Sequence, residues 1–295
     1  MPSRSPFAVQ DWHLAHGRLL QLGPQAVIMG VLNVTPDSFS DGGEHDDFSM
    51  AVQRAGSMAS KGAAIIDIGG ESTKPNAQPV DAQIEQSRIL PVIETLSGSS
   101  QEDADADRKG FVLSVDTYRA ETAAMAVAAG AHIINDVWGC QREPALAEVA
   151  ASTNAGLVIM NTRRERPVLD DLLEDAMRFL ERSVKIATRA GVRPEQIVLD
   201  PGFGFAPTID HDIPILQRLE LLHGLGFPLL VGTSRKRFLG ALTGRDAEDR
   251  GAATAATSVV ARQKGAAIFR VHDIDVNRDA LIVADAVIEP DESHE

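Results

Sequence analysis

Eight short apolar runs, each followed by a polar or glycine-rich turn and then a helical stretch, constrain this chain more than any other feature. The runs span 26–33, 64–69, 111–116, 133–136, 157–161, 197–200, 228–232 and 267–271. Most carry β-branched residues with little alternation, the pattern of strands covered on both faces. Helical spacing is clear over 50–61, 119–129, 172–190 and 246–264, and Gly130, Gly191 and Gly265 sit where C-caps belong. Strand and helix alternation predicts βα units and a parallel sheet. Eight units predict one closed (β/α)8 TIM barrel over 1–295. A doubly wound open sheet is the alternative, but no GxGxxG follows the first strand. Outside the barrel, the chain predicts a short N-terminal β-hairpin within 1–22, turning at His16-Gly17. It also predicts an acidic loop over 97–107 and an acidic tail over 288–295.

The net charge of −14 argues against broad binding to nucleic acid or an anionic membrane. An anionic ligand would need a local gathering of Lys, Arg and His. Cys140 is the lone cysteine, so no intramolecular disulfide forms and no zinc spacing exists. No signal peptide and no membrane-length apolar run are read, which predicts a cytoplasmic protein.

Every run delivers polar residues at its C-terminal end. They are Asn33, Glu71–Lys74, Asp116, Asn135-Asp136, Asn161, Asp200, Ser234-Arg235-Lys236 and Arg270–Asp273. In a barrel these ends converge on one mouth, where barrel enzymes place their chemistry. Singly, each is also read as a helix cap, Asp116 and Asn135-Asp136 above all. Lys74, Arg235, Lys236, Arg270 and His272 form the expected basic cluster, across from Asp116, Asn135 and Asp200. A ligand with one anionic end and one donor-rich end fits between them. The loops 34–43 and 69–77 are built from turn formers and follow strand ends, as lids do, or as plain connections do.

Seven blocks carry a family resemblance: MGVLNVTPDSFSDGG (29–43), DIGGEST (67–73), SVDT (114–117), INDV (134–137), LDPGFGF (199–205), GTSRKRFLG (232–240) and RVHD (270–273). In this order they resemble the dihydropteroate synthases, folate-pathway barrel enzymes inhibited by sulfonamides. The resemblance implies condensation of 6-hydroxymethyl-7,8-dihydropterin diphosphate with 4-aminobenzoate, releasing diphosphate. It implies a Mg²⁺ cofactor held by Asn33, and a pterin pocket of Asp116, Asn135, Asp200 and Lys236. Arg270 would cover the pterin and meet the diphosphate, and His272 would contact the diphosphate. Thr73 and Ser234 would lie around the aminobenzoate, and Phe205 is a further substrate-binding residue. Asp41 and Lys74 would close over both substrates; the catalytic set is Asp41, Lys74, Lys236, Arg270 and His272. A homodimer is the family's habit; the long helices at 172–190 and 246–264 could supply its interface or simply pack on the barrel.

The chain departs from the family in three places. Lys74 stands where the family has Arg, Asn161 where it has His, and Ala206-Pro207 where it has Gly-Lys. Two further readings accompany the synthase: a pterin-binding paralogue with little turnover, and a methyltetrahydrofolate-type methyltransferase. The Ser-Arg-Lys and Arg-Val-His blocks favour a diphosphate over a methyl group.

Overall fold

Strand parity decides which side chains reach the interior. The computed structural model describes residues 5–35, 44–71, 80–102, 110–205 and 211–288. After a hairpin of β1 (Gln10–His13) and β2 (Leu19–Leu22) come eight strands. These are β3 (Val27–Asn33), β4 (Ile65–Gly69), β5 (Val112–Asp116), β6 (Ile133–Asp136), β7 (Gly156–Met160), β8 (Ile197–Asp200), β9 (Leu230–Val231) and β10 (Ile268–Val271). Their order is β8-β7-β6-β5-β4-β3-β10-β9. Neighbours pair in parallel, and a bridge between Leu199 and Leu229 joins the two ends. The expected (β/α)8 barrel is the observed fold. Its helices are α1 (Glu44–Ser60), α2 (Ala82–Glu102), α3 (Ala120–Ala128), α4 (Ala145–Thr153), α5 (Leu172–Arg189), α6 (Asp212–Gln217), α7 (Arg237–Thr243), α8 (Gly251–Gln263) and α9 (Ile274–Val287). Among the described residues no helix is long and apolar enough to cross a membrane.

Two cores follow from the two-residue repeat of a strand. Ile28, Ile66, Leu113, Ile134, Leu157, Leu199, Val231 and Phe269 point outward and pack beneath the helices. Val27, Met29, Ile65, Val112, Ile133, Val158, Val198, Leu230 and Ile268 point inward. Trp12, Leu14 and Leu22 of the hairpin join this inner core, so β1 and β2 plug the N-terminal end of the barrel. Trp12 Nε1 donates to Gln196 O at 2.8 Å, which satisfies the one polar atom of a fully buried ring. Gly156 is required here: a Cβ would lie 2.5 Å from Leu14 Cδ2.

Three expectations need correction. The hairpin does not turn on two residues. Leu14 and Ala15 dive into the core, so the connection spans Leu14 to Arg18, with His16 and Gly17 both left-handed (φ 59° and 69°). The stretch 97–107 is not all loop: α2 continues to Glu102, and Ser97 Oγ bonds Ala129 O across to the end of α3; residues 103–109 lie outside the described residues. The helix read over 246–264 begins only at Gly251, after a 3₁₀ turn at Ala247–Asp249. Arg250 separates them because its guanidinium turns back to the carbonyls of Arg245, Arg235 and Lys236. Of the acidic tail, only Ile288 is described.

Candidate active site

The inward row of each strand ends at the same mouth. Counting in twos from the inner core gives Asn33, Gly69, Asp116, Asn135, Met160, Asp200, Gly232, Arg270 and His272 at the top. Asp67 and Ser114 lie one layer deeper, paired across β4 and β5 and both fully buried. This places the expected Asn33, Asp116, Asn135, Asp200, Arg270 and His272 together. The same parity turns Asp136 and Asn161 away. Asp136 accepts the backbone N–H of Trp138 (2.8 Å) and Cys140 (2.5 Å), so it ties the turn after β6 and is not a helix cap, since α4 starts only at Ala145. Asn161 donates to Pro201 O (3.0 Å) and accepts from Arg166 (3.1 Å), stitching the β7 and β8 loops behind the mouth. The cap reading fails for Asp116 and Asn135, whose side chains face other charged groups.

The centre of the mouth is an ion cluster. Arg270 donates from Nε to Asp67 Oδ2 (2.6 Å) and from Nη2 to Asp116 Oδ2 (2.8 Å). Asn135 Nδ2 donates to the same Asp67 oxygen at 3.0 Å. The blocks above contain Asp67, but the sequence reading did not single it out. The available signal was a carboxylate inside the apolar run Ile-Ile-Asp-Ile, where only a paired charge is tolerated. Asp67 Oδ1 and Ser114 Oγ are buried without a hydrogen-bond partner. Such atoms are costly unless something polar completes them.

Burial shapes the charges. It lifts Asp116 to about 7, against the pull of Arg270 and with help from Asp67. Burial also lifts Asp200 to about 6, opposed by the Gly202 N–H, Lys236 and Arg270. That N–H donates to Asp200 Oδ1 at 2.7 Å. Desolvation, then Arg270, lowers Lys236 to about 8. Burial works against the charge of Arg270, but Asp67 and Asp116 outweigh it. His272 is lowered to about 3 by burial and then by Arg270, Arg235 and Lys236, so its ring is neutral. Its Nδ1 meets Ser234 Oγ at 2.9 Å, and the same oxygen accepts the His272 backbone N–H at 3.2 Å.

One side of the mouth is apolar. Phe205 packs with Val137 and Met160, and Trp138 leans on them. Lys236 reaches across this wall, with Nζ 4.3 Å from the Phe205 ring centre. Gly204 makes room for it, since a Cβ there would sit 2.5 Å from Lys236 Cδ. At the opposite side Asn33 Oδ1 and Asp116 Oδ2 flank Gly69, each 3.8 Å from where its Cβ would be. Asp41, Thr73, Lys74 and Ala206-Pro207 lie outside the described residues.

A parallel barrel whose mouth pairs buried carboxylates with a cationic rim has the arrangement of a barrel-enzyme active site. The family model for pterin binding enzymes matches residues 29–272, and the chain belongs to that family. A Bacillus subtilis dihydropteroate synthase is 47% identical over 250 residues, covering 85% of this chain and 84% of the relative. A Xanthomonas albilineans dihydropteroate synthase solved with 4-aminobenzoic acid superposes with a TM-score of 0.86 at 39% identity, covering 95% of this chain and all of that one (100%). The same enzyme with 7,8-dihydropteroate gives 0.83 at 38% identity, over 94% and 100%. Within the pterin-binding family, the chain is a member of the dihydropteroate synthases.

Proposed function

We propose that this chain condenses 6-hydroxymethyl-7,8-dihydropterin diphosphate with 4-aminobenzoate, releasing diphosphate and forming 7,8-dihydropteroate. The carrying observation is the juxtaposition at one mouth of recessed carboxylates (Asp67, Asp116, Asp200) with Lys236, Arg270 and a neutral His272. The pterin edge offers an exocyclic amine and a ring N–H. Asp200 and the unpartnered Asp67 Oδ1 supply acceptors for such donors. Asn135 and Asp116 fix the edge of the ring, and Lys236 donates to its carbonyl. Arg270, already locked by two carboxylates, has its guanidinium oriented before substrate arrives. The bond between the methylene carbon and the diphosphate oxygen breaks, its electron pair leaving with the diphosphate. Arg270 and the His272 N–H steady that charge, and Phe205 holds the arene whose amine forms the new C–N bond. The surplus amine proton leaves to water. Asp41, Lys74 and Thr73 complete the closure over both substrates in this proposal.

Mg²⁺ is part of the proposal. Asn33 offers one hard amide oxygen beside Gly69, and among the described residues no group of three or more His, Cys, Asp or Glu makes a cage for a metal. That donor set fits a cation held chiefly by substrate phosphates, with Asn33 as its protein ligand. When bound, the ion supplies charge neutralisation on the leaving diphosphate. A homodimer is also proposed, through α8 and α9, which expose Val260, Val283 and Val287; a monomeric mass by light scattering would remove it.

The test is direct. Incubate the protein with the pterin diphosphate, 4-aminobenzoate and Mg²⁺, and measure diphosphate release. Release that needs both the amine and Mg²⁺ is the expected result. Pterin binding without amine-dependent release overturns the synthase reading.

A further inference from the structure

The apolar wall of the mouth carries a second cation that no sequence block singles out. The guanidinium of Arg164 lies 4.7 Å from the centre of the Phe205 ring, the ring that Lys236 also touches. Arg164 stands on the loop after β7, and that loop is fastened at several points. Arg163 N donates to Phe205 O at 3.3 Å, tying the loop to the ring's own backbone. Arg166 donates to Thr162 O (2.7 Å), to Asn161 Oδ1 (3.1 Å) and to both oxygens of Asp175 (2.8 and 2.6 Å). Asn161, which replaces the family's histidine, is thus one of the anchors. Arg164 is half-buried and feels the charge of its neighbour Glu165 first, then that of Asp116 across the mouth.

We propose that Arg164 is a specificity-determining contact for the anionic end of the arylamine substrate. This rests on the synthase reading above. The attacking nitrogen must point into the pterin pocket. A carboxylate para to it then points outward, along the face of Phe205 and toward the guanidinium held there. The protein's net charge of −14 opposes an incoming anion, so a fixed local cation is needed. Lys236 feels the pull of Asp200 and Asp212 and serves the pterin side. Arg164 is placed on the arene side, and a guanidinium can grip a carboxylate with two parallel N–H bonds. Because the loop is tied down beforehand, little ordering is lost on binding.

The variant Arg164→Met keeps an apolar stem over Phe205 and removes the charge. We expect KM for 4-aminobenzoate to rise about ten- to a hundredfold, the size of a lost charge-assisted hydrogen bond. KM for the pterin diphosphate and kcat should hold. With 4-aminobenzamide, equal in shape and uncharged, kcat/KM should not respond to the substitution. Arg164→Lys, which keeps charge without the fork, should lose less than Arg164→Met. An unchanged KM for the acid, or equal losses with acid and amide, overturns the proposal. If the wild type turns over neither amine, the synthase reading fails by itself, and calorimetric titration of 4-aminobenzoate onto protein holding the pterin diphosphate decides Arg164 alone. Weaker binding to Arg164→Met supports the contact; equal affinity, or no binding to the wild type, overturns it.

Discussion

Two arginines are held by carboxylates at opposite ends of the same barrel, and their surroundings differ in one respect. Arg262 is fully buried near the strand N-termini. It pairs with Asp285 and donates to Ala266 O (3.1 Å), Gly23 O (2.8 Å) and Pro24 O (3.1 Å), while Asp285 also accepts Ala26 N–H at 2.9 Å. That circuit is closed: it binds the starts of β3 and β10 to α8 and α9 and leaves nothing for a ligand. Arg270, 18% exposed at the mouth, joins Asp67 and Asp116, but its circuit ends in open atoms, Asp67 Oδ1 below and carboxylates raised by burial around it. A buried ion pair is weak evidence for stability in itself. What separates a strut from a site is whether the protein alone satisfies the polar atoms.

The comparison breaks if the two residues fail in the same way. Arg262→Met should cost about 3–5 kcal/mol of stability, because Asp285 is left as an uncompensated charge; kcat/KM per folded molecule should hold. Arg270→Met should do the reverse. Its kcat/KM should fall about a thousandfold, as when a preorganised cation is removed from a developing anion. Asp116, already lifted by burial, can take up a proton once the guanidinium is gone, so the thermal midpoint should move little. Denaturant titrations and steady-state kinetics on both variants check this, and a melt for Arg270→Met as depressed as that for Arg262→Met would break the distinction.

Much of this was legible in the sequence because a strand's repeat is two residues. The eight apolar runs fixed the barrel, and the strand ends named Asn33, Asp116, Asn135, Asp200, Arg270 and His272. What misled was treating neighbours at a strand end as equivalent. Asn135 and Asp136 differ by one position, and one position reverses the face. Asn161 failed the same way: Met160 is the inward residue, and Asn161 points back into the loops. Asp67 was hidden by its setting, since a carboxylate two residues below the rim reads as part of an apolar strand. Arg164 carries no periodic signal, because a loop residue's position depends on tertiary ties such as Arg166 with Asp175. The hairpin turn was misjudged because burial of Leu14 and Ala15 overrides the local His-Gly turn preference.

A smaller effect sharpens the contrast through pH. Burial lifts Asp116 to about 7 against the pull of Arg270, from an ordinary value of 3.8. The folded protein therefore keeps a proton that the unfolded chain has released. The stability from Asp116 is fully present below about pH 4 and is lost as pH rises to about 7. His132, lowered to about 4 by burial, and His272, lowered to about 3, run the other way; their contribution is present above about 6.5 and is lost as pH falls. In the wild type these slopes oppose each other, so the difference between two proteins is the useful quantity. Asp116→Asn cannot titrate at this position. Its melting temperature relative to wild type should climb between pH 4 and pH 8, and a gap that does not change with pH sinks the assignment.

The smallest expected effect concerns Ser234, which family resemblance puts near the aminobenzoate and the geometry puts on His272. Its oxygen accepts the His272 backbone N–H and meets Nδ1 at 2.9 Å, where the hydroxyl donates if the ring carries its proton on Nε2. In that tautomer the proton on Nε2 can meet a leaving diphosphate. Ser234→Ala removes one neutral hydrogen bond, worth about 1 kcal/mol, and should lower kcat/KM about fivefold. The decisive comparison is the double substitution. If Ser234 acts by holding His272, then Ser234→Ala should cost nothing further in a His272→Ala background, because the partner it steadies is gone. A full fivefold loss in that background would mean the hydroxyl meets substrate itself, and the open circuit at the mouth would then extend into the loop after β9.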